Sequence, residues 1–317
     1  MAVGTILSWG VGSRRGMTDV VLVCTLMSSG VNIFCFTACY FVAWMLELAG
    51  LKARYGWHRL VMLAFAGAGL AAQTWYLIDR VSQAPATPLA TTFDWCLLAA
   101  WVLAIVYLGL VFYSPGTSIG LFLLPLILLL VGAAQFASQV PLAARQASQF
   151  WGVVHGVTLL LGTVTVCLGF LSGLMYLIQS HRLRKALPPV VSFRLPSLEW
   201  LHWINSRALR WSALTMAAGL LSGVILTHMK HPTDTSYRLW TDPVVLSLAA
   251  MLAWLITAEI FRLVYPAARQ GRKVAYLTLA AFVFLVFMLF SITMLDTVHG
   301  RKGHANELTA CPMEVSV

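Results

Sequence analysis

The chain has 317 residues, of which 60% are hydrophobic and only 10% charged, and its mean hydropathy is +0.82. Soluble globular domains carry about 25% charged residues, so this composition excludes an ordinary soluble enzyme. The net charge of +10 does not indicate nucleic acid as a partner. The basic residues flank apolar segments, where they set membrane orientation and contact anionic lipid headgroups. The composition therefore predicts an integral membrane protein with lipid as a partner.

Apolar runs long enough to cross a membrane, which takes about 20 residues, recur along most of the chain. Prolines, glycines and other turn-forming residues separate them. No cleavable signal peptide is predicted, because the apolar run after Arg14 and Arg15 is too long for one. The pattern predicts an all-α integral membrane protein, a bundle of about eight transmembrane helices, at about 20–46, 60–78, 95–113, 118–137, 152–178, 208–227, 243–264 and 274–296.

An even number of helices places both termini on one side of the membrane. The loops on one side, at 47–59, 114–117, 179–210 and 262–273, hold 13 Lys and Arg residues, whereas the other side holds 8. The richer side faces the cytoplasm by the positive-inside rule. We therefore expect a multi-pass protein of the inner (plasma) membrane with both termini on the outer side. The loops at 79–94, 138–151 and 228–242 are expected on that side too.

Ionisable residues inside a membrane are functional candidates. Glu259 and Arg262 are three residues apart and are predicted to form an ion pair, and Glu47 lies within reach of Lys52. No acidic residue is predicted at mid-membrane depth, which counts against an ion-coupled transporter. The chain also has no Cys-x-x-Cys-His motif and so is not itself a c-type cytochrome.

His155 is the first candidate for chemistry, near the outer end of the fifth predicted helix. Trp151 precedes it by four residues, which places both on one helix face. Gly152 and Gly156 beside them allow a neighbouring helix or a cofactor to approach the backbone closely. Two interpretations stay open, a metal-ligating imidazole and a histidine hydrogen-bonded within a tight helix interface.

His299 is the second candidate, at the outer end of the last predicted helix. Asp296 precedes it by three residues and can fix the tautomer of the imidazole, as carboxylates do beside metal-binding histidines. The outer loop before the seventh helix holds Trp240 and Asp242, and a tryptophan at that level is usually a membrane-interface anchor. The alternative interpretation of Asp296 and His299 is a solvated pair at a helix end.

The second half of the chain resembles the cytochrome c assembly membrane proteins, the CcsA/HemX-like family, over roughly 150–300. The segments that carry the resemblance share their order and spacing with that family, and they are Trp151-Gly-Val-Val-His155-Gly, Gly169 to Gln179, Leu195-Pro-Ser-Leu-Glu199, Gly219 to Gly223, Leu239-Trp-Thr-Asp-Pro243, Gly271 to Tyr276 and His299-Gly. We divide the chain accordingly into an N-terminal four-helix region, 1–148, and a family-like region, 149–317.

The resemblance implies a function and a site. It implies that His155 and His299 are the axial ligands of a haem b, with Trp151, Trp240 and Asp242 around it, and that the haem is presented to apocytochrome c with a partner membrane protein of cytochrome c biogenesis. On this hypothesis the chain holds and presents haem, and is not an independent enzyme.

The outer loop differs from the family pattern and supports an alternative. The family loop is rich in tryptophan and continues Asp-x-Lys-Glu, whereas here only Trp240, Asp242 and Pro243 match and Val244-Val245 replace Lys-Glu. The alternative hypothesis is a HemX-like interaction or regulatory protein of haem metabolism that carries no haem. In that case the basic loop at 179–210 is the working surface.

Overall fold

A computed structural model describes residues 32–51, 56–83, 91–114, 117–137, 149–185, 195–230, 243–264 and 271–294. Every regular element in these ranges is a helix, which confirms the all-α class. Helices are the expected solution for such an apolar chain, because a helix satisfies its own backbone N–H and C=O groups where lipid cannot.

The described ranges contain eight helices, which are α1 Ile33–Gly50, α2 Gly56–Gln83, α3 Thr92–Tyr113, α4 Gly120–Phe136, α5 Gln149–Arg184, α6 Leu198–Lys230, α7 Pro243–Val264 and α8 Gly271–Met294. Seven are long and apolar enough to cross a membrane, and α4 is shorter, with 17 residues. The chain is thus a multi-pass membrane protein. Which side each terminus faces stays a prediction.

Several helix starts follow from local chemistry. Before α3, the Thr91 hydroxyl accepts a hydrogen bond from the Asp94 backbone N–H at 3.1 Å, and the Asp94 carboxylate accepts one from the Thr91 backbone N–H at 3.3 Å. This is a capping box, which satisfies two N–H groups that the helix itself leaves unpaired. The first residue of α7 is Pro243, a position where a missing N–H costs nothing.

The helices pack as two groups of four. In the first group α1 contacts α2 and α4, and α3 also contacts α2 and α4; in the second α5 contacts α6 and α8, and α7 contacts α6 and α8. The predicted division between 148 and 149 falls between α4 and α5, in a connection that is outside the described residues. That division stays a prediction about domains.

The first group has a core of large side chains. Phe36, Tyr40, Phe93 and Tyr107 are fully or almost fully buried there. One polar contact crosses this core: the Tyr40 hydroxyl donates to Gln73 Oε1 at 2.8 Å, and Gln73 Nε2 donates to the Leu97 carbonyl at 3.1 Å. The Tyr40 hydroxyl and the Gln73 amide therefore have partners although water is excluded.

Glycines let α5 approach α6 and α8 closely in the second group. A methyl group at Gly219 would lie 2.7 Å from the Leu159 side chain, and one at Gly173 would lie 2.8 Å from Thr278 Oγ1 and 3.2 Å from the Ala275 carbonyl oxygen. Such small-residue contacts are typical of helix pairs in membranes, where van der Waals packing replaces the hydrophobic effect.

The second group carries different residues at its two opposite ends, which we call the histidine end and the arginine end. The histidine end comprises 149–156 of α5 and 219–230 of α6, and the arginine end comprises 177–185 of α5 and 271–276 of α8. The first group meets the second at the histidine end, where Gly156 of α5 faces the ring of Trp95 on α3. A methyl group at Gly156 would lie 2.4 Å from Trp95 Cζ2.

The predicted pair of Glu259 and Arg262 is confirmed as an ion pair on α7. Arg262 also donates to the Ser206 carbonyl on α6 at 3.2 Å, so the pair joins two helices. The predicted pairing of Glu47 with Lys52 lies outside the described residues, because Lys52 does.

An ion pair that the sequence did not indicate joins α2 to α3 beside Trp95. Arg80 Nε donates to Asp94 Oδ1 at 2.7 Å, and the Asp94 side chain is 4% exposed. The guanidinium also lies over the Phe93 ring, 4.8 Å from its centroid. A buried carboxylate is thus matched by a cation.

Candidate functional site

Two of the five predicted site residues lie in the described part of the chain. His155 and Trp151 are both on the first turns of α5, at the histidine end, and both are partly buried. Trp240, Asp242 and His299 fall outside the described residues. The structure therefore describes one half of the predicted site, the half that α5 and α6 form.

The imidazole of His155 is held by the backbone of α6. Its Nδ1 lies 2.8 Å from the carbonyl oxygen of Gly219. A carbonyl oxygen only accepts hydrogen bonds, so Nδ1 carries the proton in this contact. In the neutral imidazole the lone pair then resides on Nε2, which is the ring nitrogen able to accept a hydrogen bond or to bind a metal ion. Metal-binding histidines typically donate their other N–H in this way, which fixes the ring orientation.

Ser222 completes the hydrogen bonding around this carbonyl. Its hydroxyl donates to the Gly219 carbonyl at 2.9 Å and lies 3.4 Å from His155 Nδ1. The carbonyl oxygen thus accepts from two side chains in addition to the backbone N–H that it accepts from within α6. Because Ser222 satisfies its own proton on the backbone, the 3.4 Å contact adds little to the orientation of the imidazole.

Glycine provides the space that the imidazole occupies. A methyl group at Gly223 would lie 2.8 Å from His155 Cε1 and 3.1 Å from Nδ1. Position 223 must therefore hold a glycine for the imidazole to reach the Gly219 carbonyl. The sequence prediction that small residues let a helix approach closely holds here, with α6 supplying the glycines next to the histidine.

The structure adds Trp95 to the site. Its indole packs against Gly156, the residue next to His155, and brings α3 to the same end of the bundle. Sequence reasoning missed it because Trp95 and Gly156 are far apart in the chain. The available signal was a tryptophan in the first turn of a predicted outer-facing helix end, which is also a common place for an interface anchor.

Trp151 packs on its neighbour in the chain. Its ring centroid is 5.9 Å from that of Phe150, with the planes at 78°, an edge-to-face geometry. Helical periodicity places it one turn before His155, on the same face. Two further histidines lie at positions 228 and 231 of the chain, of which His228 is exposed near the end of α6 and His231 is outside the described residues.

The hydrogen bond of His155 bears on the choice between a helix-interface histidine and a metal ligand. Its hydrogen bond to α6 satisfies the helix-interface interpretation, and the same bond prepares Nε2 to coordinate a metal. The hydrogen bond at Nδ1 therefore fits both interpretations. They differ only in what contacts Nε2. An imidazole with a fixed tautomer at the end of a helix bundle is suited to hold a metal ion through one protein ligand, with a second ligand from elsewhere.

Comparison with known proteins places the chain in a family. The family model described as Cytochrome C assembly protein matches residues 89–299, while no curated protein and no solved structure matches the chain significantly. The match begins just before α3 and so includes α3 and α4, which precede the segments that carry the resemblance. It also contains all five predicted site residues. Because the match covers most of the sequence, the chain belongs to the cytochrome c assembly protein family and has a role in cytochrome c biogenesis.

Proposed function

We propose that this protein binds haem at the histidine end, through His155 and His299, and presents it on the outer face of the membrane for attachment to apocytochrome c. The observation that carries the proposal is the hydrogen bond from His155 Nδ1 to the Gly219 carbonyl. It holds the imidazole in the tautomer and orientation that a metal ligand needs. The family match, which spans both histidines, supports the pairing.

The residues around His155 fit a flat apolar group with a metal at its centre. Partly buried Trp151 and Trp95 provide aromatic surface, and the close approach of α5 to α6 excludes water from one side of the imidazole. His299 is proposed as the second residue that would hold the haem iron, and Trp240 and Asp242 as further residues that would contact the haem. Two imidazole ligands would favour holding the haem over oxygen chemistry.

Haem, when bound, would supply the vinyl groups that become linked to the cysteine thiols of apocytochrome c. The protein's own contribution is to hold and orient. In the described ranges the site provides one imidazole, aromatic surface and backbone hydrogen bonds, so we assign it no catalytic side chain. The partners we propose are apocytochrome c and another membrane protein of cytochrome c biogenesis that helps to place it.

The test is the absorbance spectrum of the full-length protein purified from membranes. We expect a haem Soret band that is lost in His155→Ala and in His299→Ala. The matched control is His58→Ala, which removes an imidazole at the opposite end of the bundle and should keep the band. A wild-type protein that takes up no haem, on purification or on reconstitution, would overturn the proposal.

The same variants discriminate the HemX-like alternative, a protein of haem metabolism that works through interaction alone. That alternative predicts normal cytochrome c maturation in the His155→Ala His299→Ala double variant. It predicts loss of maturation when the arginines and the lysine of 179–210 are replaced by glutamine, a change that removes the charge and keeps the helical parts of the segment. Our proposal predicts that the double variant abolishes maturation. The two sets of results are mutually exclusive.

A further inference from the structure

A cleft opens at the arginine end of the second group, far along α5 from His155. It lies between the last turns of α5 and the first turns of α8 and has a volume of about 400 Å³. Six residues line it, and they are Leu177, Ile178, His181, Arg182, Arg272 and Tyr276. Their chemistry is mixed, apolar and cationic, in a defined order.

The order is the same on both helices. On α5 the apolar Leu177 and Ile178 lie one turn deeper in the bundle than the basic His181 and Arg182. On α8 the basic Arg272 lies in the first turn, and Tyr276 lies one turn deeper. The cleft is thus cationic toward the end of the helices and apolar or aromatic toward the membrane interior, which is the polarity of a lipid molecule in a bilayer.

The positive charge of the cleft has no acidic residue in its own segments. Residues 177–185 and 271–276 contain basic residues and no Asp or Glu. Arg272 Nε donates to Ser180 Oγ at 2.7 Å, a neutral partner that fixes the side chain without neutralising it. Glu199, at the start of α6, is exposed and is not among the residues that line the cleft.

The start of α8 adds to this positive potential. The first turn of α8 has no acidic residue and carries Arg272 and Lys273. Cations there oppose the helix dipole, whose positive end is the N-terminus, whereas an anion is stabilised by it. A bound anion would relieve that repulsion and use the same N-terminal partial charge.

We propose that the cleft binds the phosphate of an anionic phospholipid, with Arg182 and Arg272 contacting the phosphate and Leu177, Ile178 and Tyr276 packing on the acyl chains. Basic pockets between membrane helices are suited to anionic headgroups. Such a lipid would join α5 to α8 at the end opposite to the histidines. The site is independent of haem binding.

Native mass spectrometry of the full-length protein tests the site directly. Detergent-solubilised protein is titrated with dioleoyl-phosphatidylglycerol or with dioleoyl-phosphatidylcholine. We expect specific retention of phosphatidylglycerol, weakened roughly fivefold by Arg182→Gln and again by Arg272→Gln, since each cation near an anionic lipid contributes about that much. Equal retention of the two lipids, or equal retention by the wild type and the double variant, overturns the proposal.

Two control variants separate the cleft from general surface charge. Arg184→Gln removes an exposed cation from the same last turn of α5 that does not line the cleft, and it should bind phosphatidylglycerol like the wild type. Ser180→Ala removes the partner of Arg272 and keeps both charges, so it should retain most of the binding. A loss in Arg184→Gln as large as in Arg272→Gln contradicts the site.

Inorganic phosphate distinguishes the lipid from a free anion. Phosphate added at the same phosphorus concentration should neither displace the lipid nor raise the unfolding temperature, because it lacks the acyl chains. Stabilisation by phosphate equal to that by phosphatidylglycerol overturns the lipid assignment. If Arg272→Gln does not fold, Arg182→Gln alone decides the test.

Discussion

The two four-helix groups fill their interiors with different side chains. The four buried aromatic side chains of the described residues, Phe36, Tyr40, Phe93 and Tyr107, all belong to the first group, whereas the largest fully buried side chains of the second group are aliphatic, and they are Leu201, Leu209, Leu255, Leu285 and Met251. The second group instead buries small polar side chains, and they are Ser172, Asn205, Ser206, Ser212, Ser222, Ser247, Thr278 and Ser291.

This difference separates two ways of holding membrane helices together. The first group relies on interlocking large side chains, where the cost of a change is a cavity. The second group relies on close backbone approach at glycine and serine, where the cost of a change is a clash. The candidate site lies in the second group, because only close backbones bring the His155 ring to the Gly219 carbonyl.

The largest expected effect lies in the first group, at its ion pair. Arg80→Gln leaves the buried Asp94 carboxylate without its cation and should lower the free energy of unfolding by about 3 kcal/mol, the lower part of the range for a broken buried pair, because Arg80 is 30% exposed. Thermal unfolding in detergent measures it. Asp79→Asn, whose carboxylate contacts exposed Gln83, is the control and should be nearly neutral. Equal losses of stability in the two variants would mean that the pair of Arg80 with Asp94 contributes no more than a surface ion pair.

The next effect lies where the groups meet. Gly156→Ala places a methyl group 2.4 Å from the Trp95 ring and should destabilise the protein by about 1–3 kcal/mol, the cost of overpacking. Gly152→Ala, one turn earlier on α5, meets no atom within 4 Å. It should be neutral or slightly stabilising, since alanine favours helix over glycine. If both variants unfold at the same temperature, the two groups do not meet at Gly156.

A smaller effect tests whether polar contacts, and not close packing, distinguish the second group. With its amide oriented to satisfy its neighbours, Asn205 donates to Thr278 Oγ1 at 2.9 Å and to the Gly169 carbonyl at 3.0 Å. A double-mutant cycle of Asn205→Ala with Thr278→Ala should give a coupling of about 0.6 kcal/mol, typical of such bonds in membrane proteins.

The counterpart in the first group is the bond between Tyr40 and Gln73, at 2.8 Å. A cycle of Tyr40→Phe with Gln73→Ala should give a coupling of similar size, since both bonds are buried and neutral. A much larger coupling at Asn205 would contradict the comparison, because polar bonding and not glycine packing would then hold the second group.

The sequence predicted all eight helices, and hydropathy explains both the success and the errors in their bounds. The predicted sixth helix began at about 208, whereas α6 begins at Leu198. The added turns contain Glu199, His202, Asn205 and Arg207, which lower the hydropathy without breaking the helix. Hydropathy reports the part of a helix that lipid surrounds, and α6 continues past it. The same holds at the end of α5, predicted at 178 and found at Arg184.

The site could be predicted only in part, for a physical reason. His155 was identified by its residue type, its place near a helix end and its neighbouring glycines. Trp95 and the Gly219 carbonyl could not be identified, because each meets the histidine region through a contact between distant segments. A backbone carbonyl also has no signature in sequence. The ion pair of Arg80 with Asp94 was missed for the same reason, since the two residues belong to different helices, α2 and α3.

The smallest expected effect concerns Ser222, and it decides what orients His155. Ser222→Ala removes the hydroxyl that lies 3.4 Å from Nδ1 but keeps the Gly219 carbonyl at 2.8 Å. We expect a stability change within about 0.5 kcal/mol and the same tautomer, read from the ¹⁵N chemical shifts of histidine-labelled protein. Gly223→Ala should change those shifts, because its methyl group would meet the imidazole at 2.8 Å. A tautomer shift in Ser222→Ala alone would assign the orientation to a side chain. The close backbone approach that distinguishes the second group would then not be what prepares the ligand.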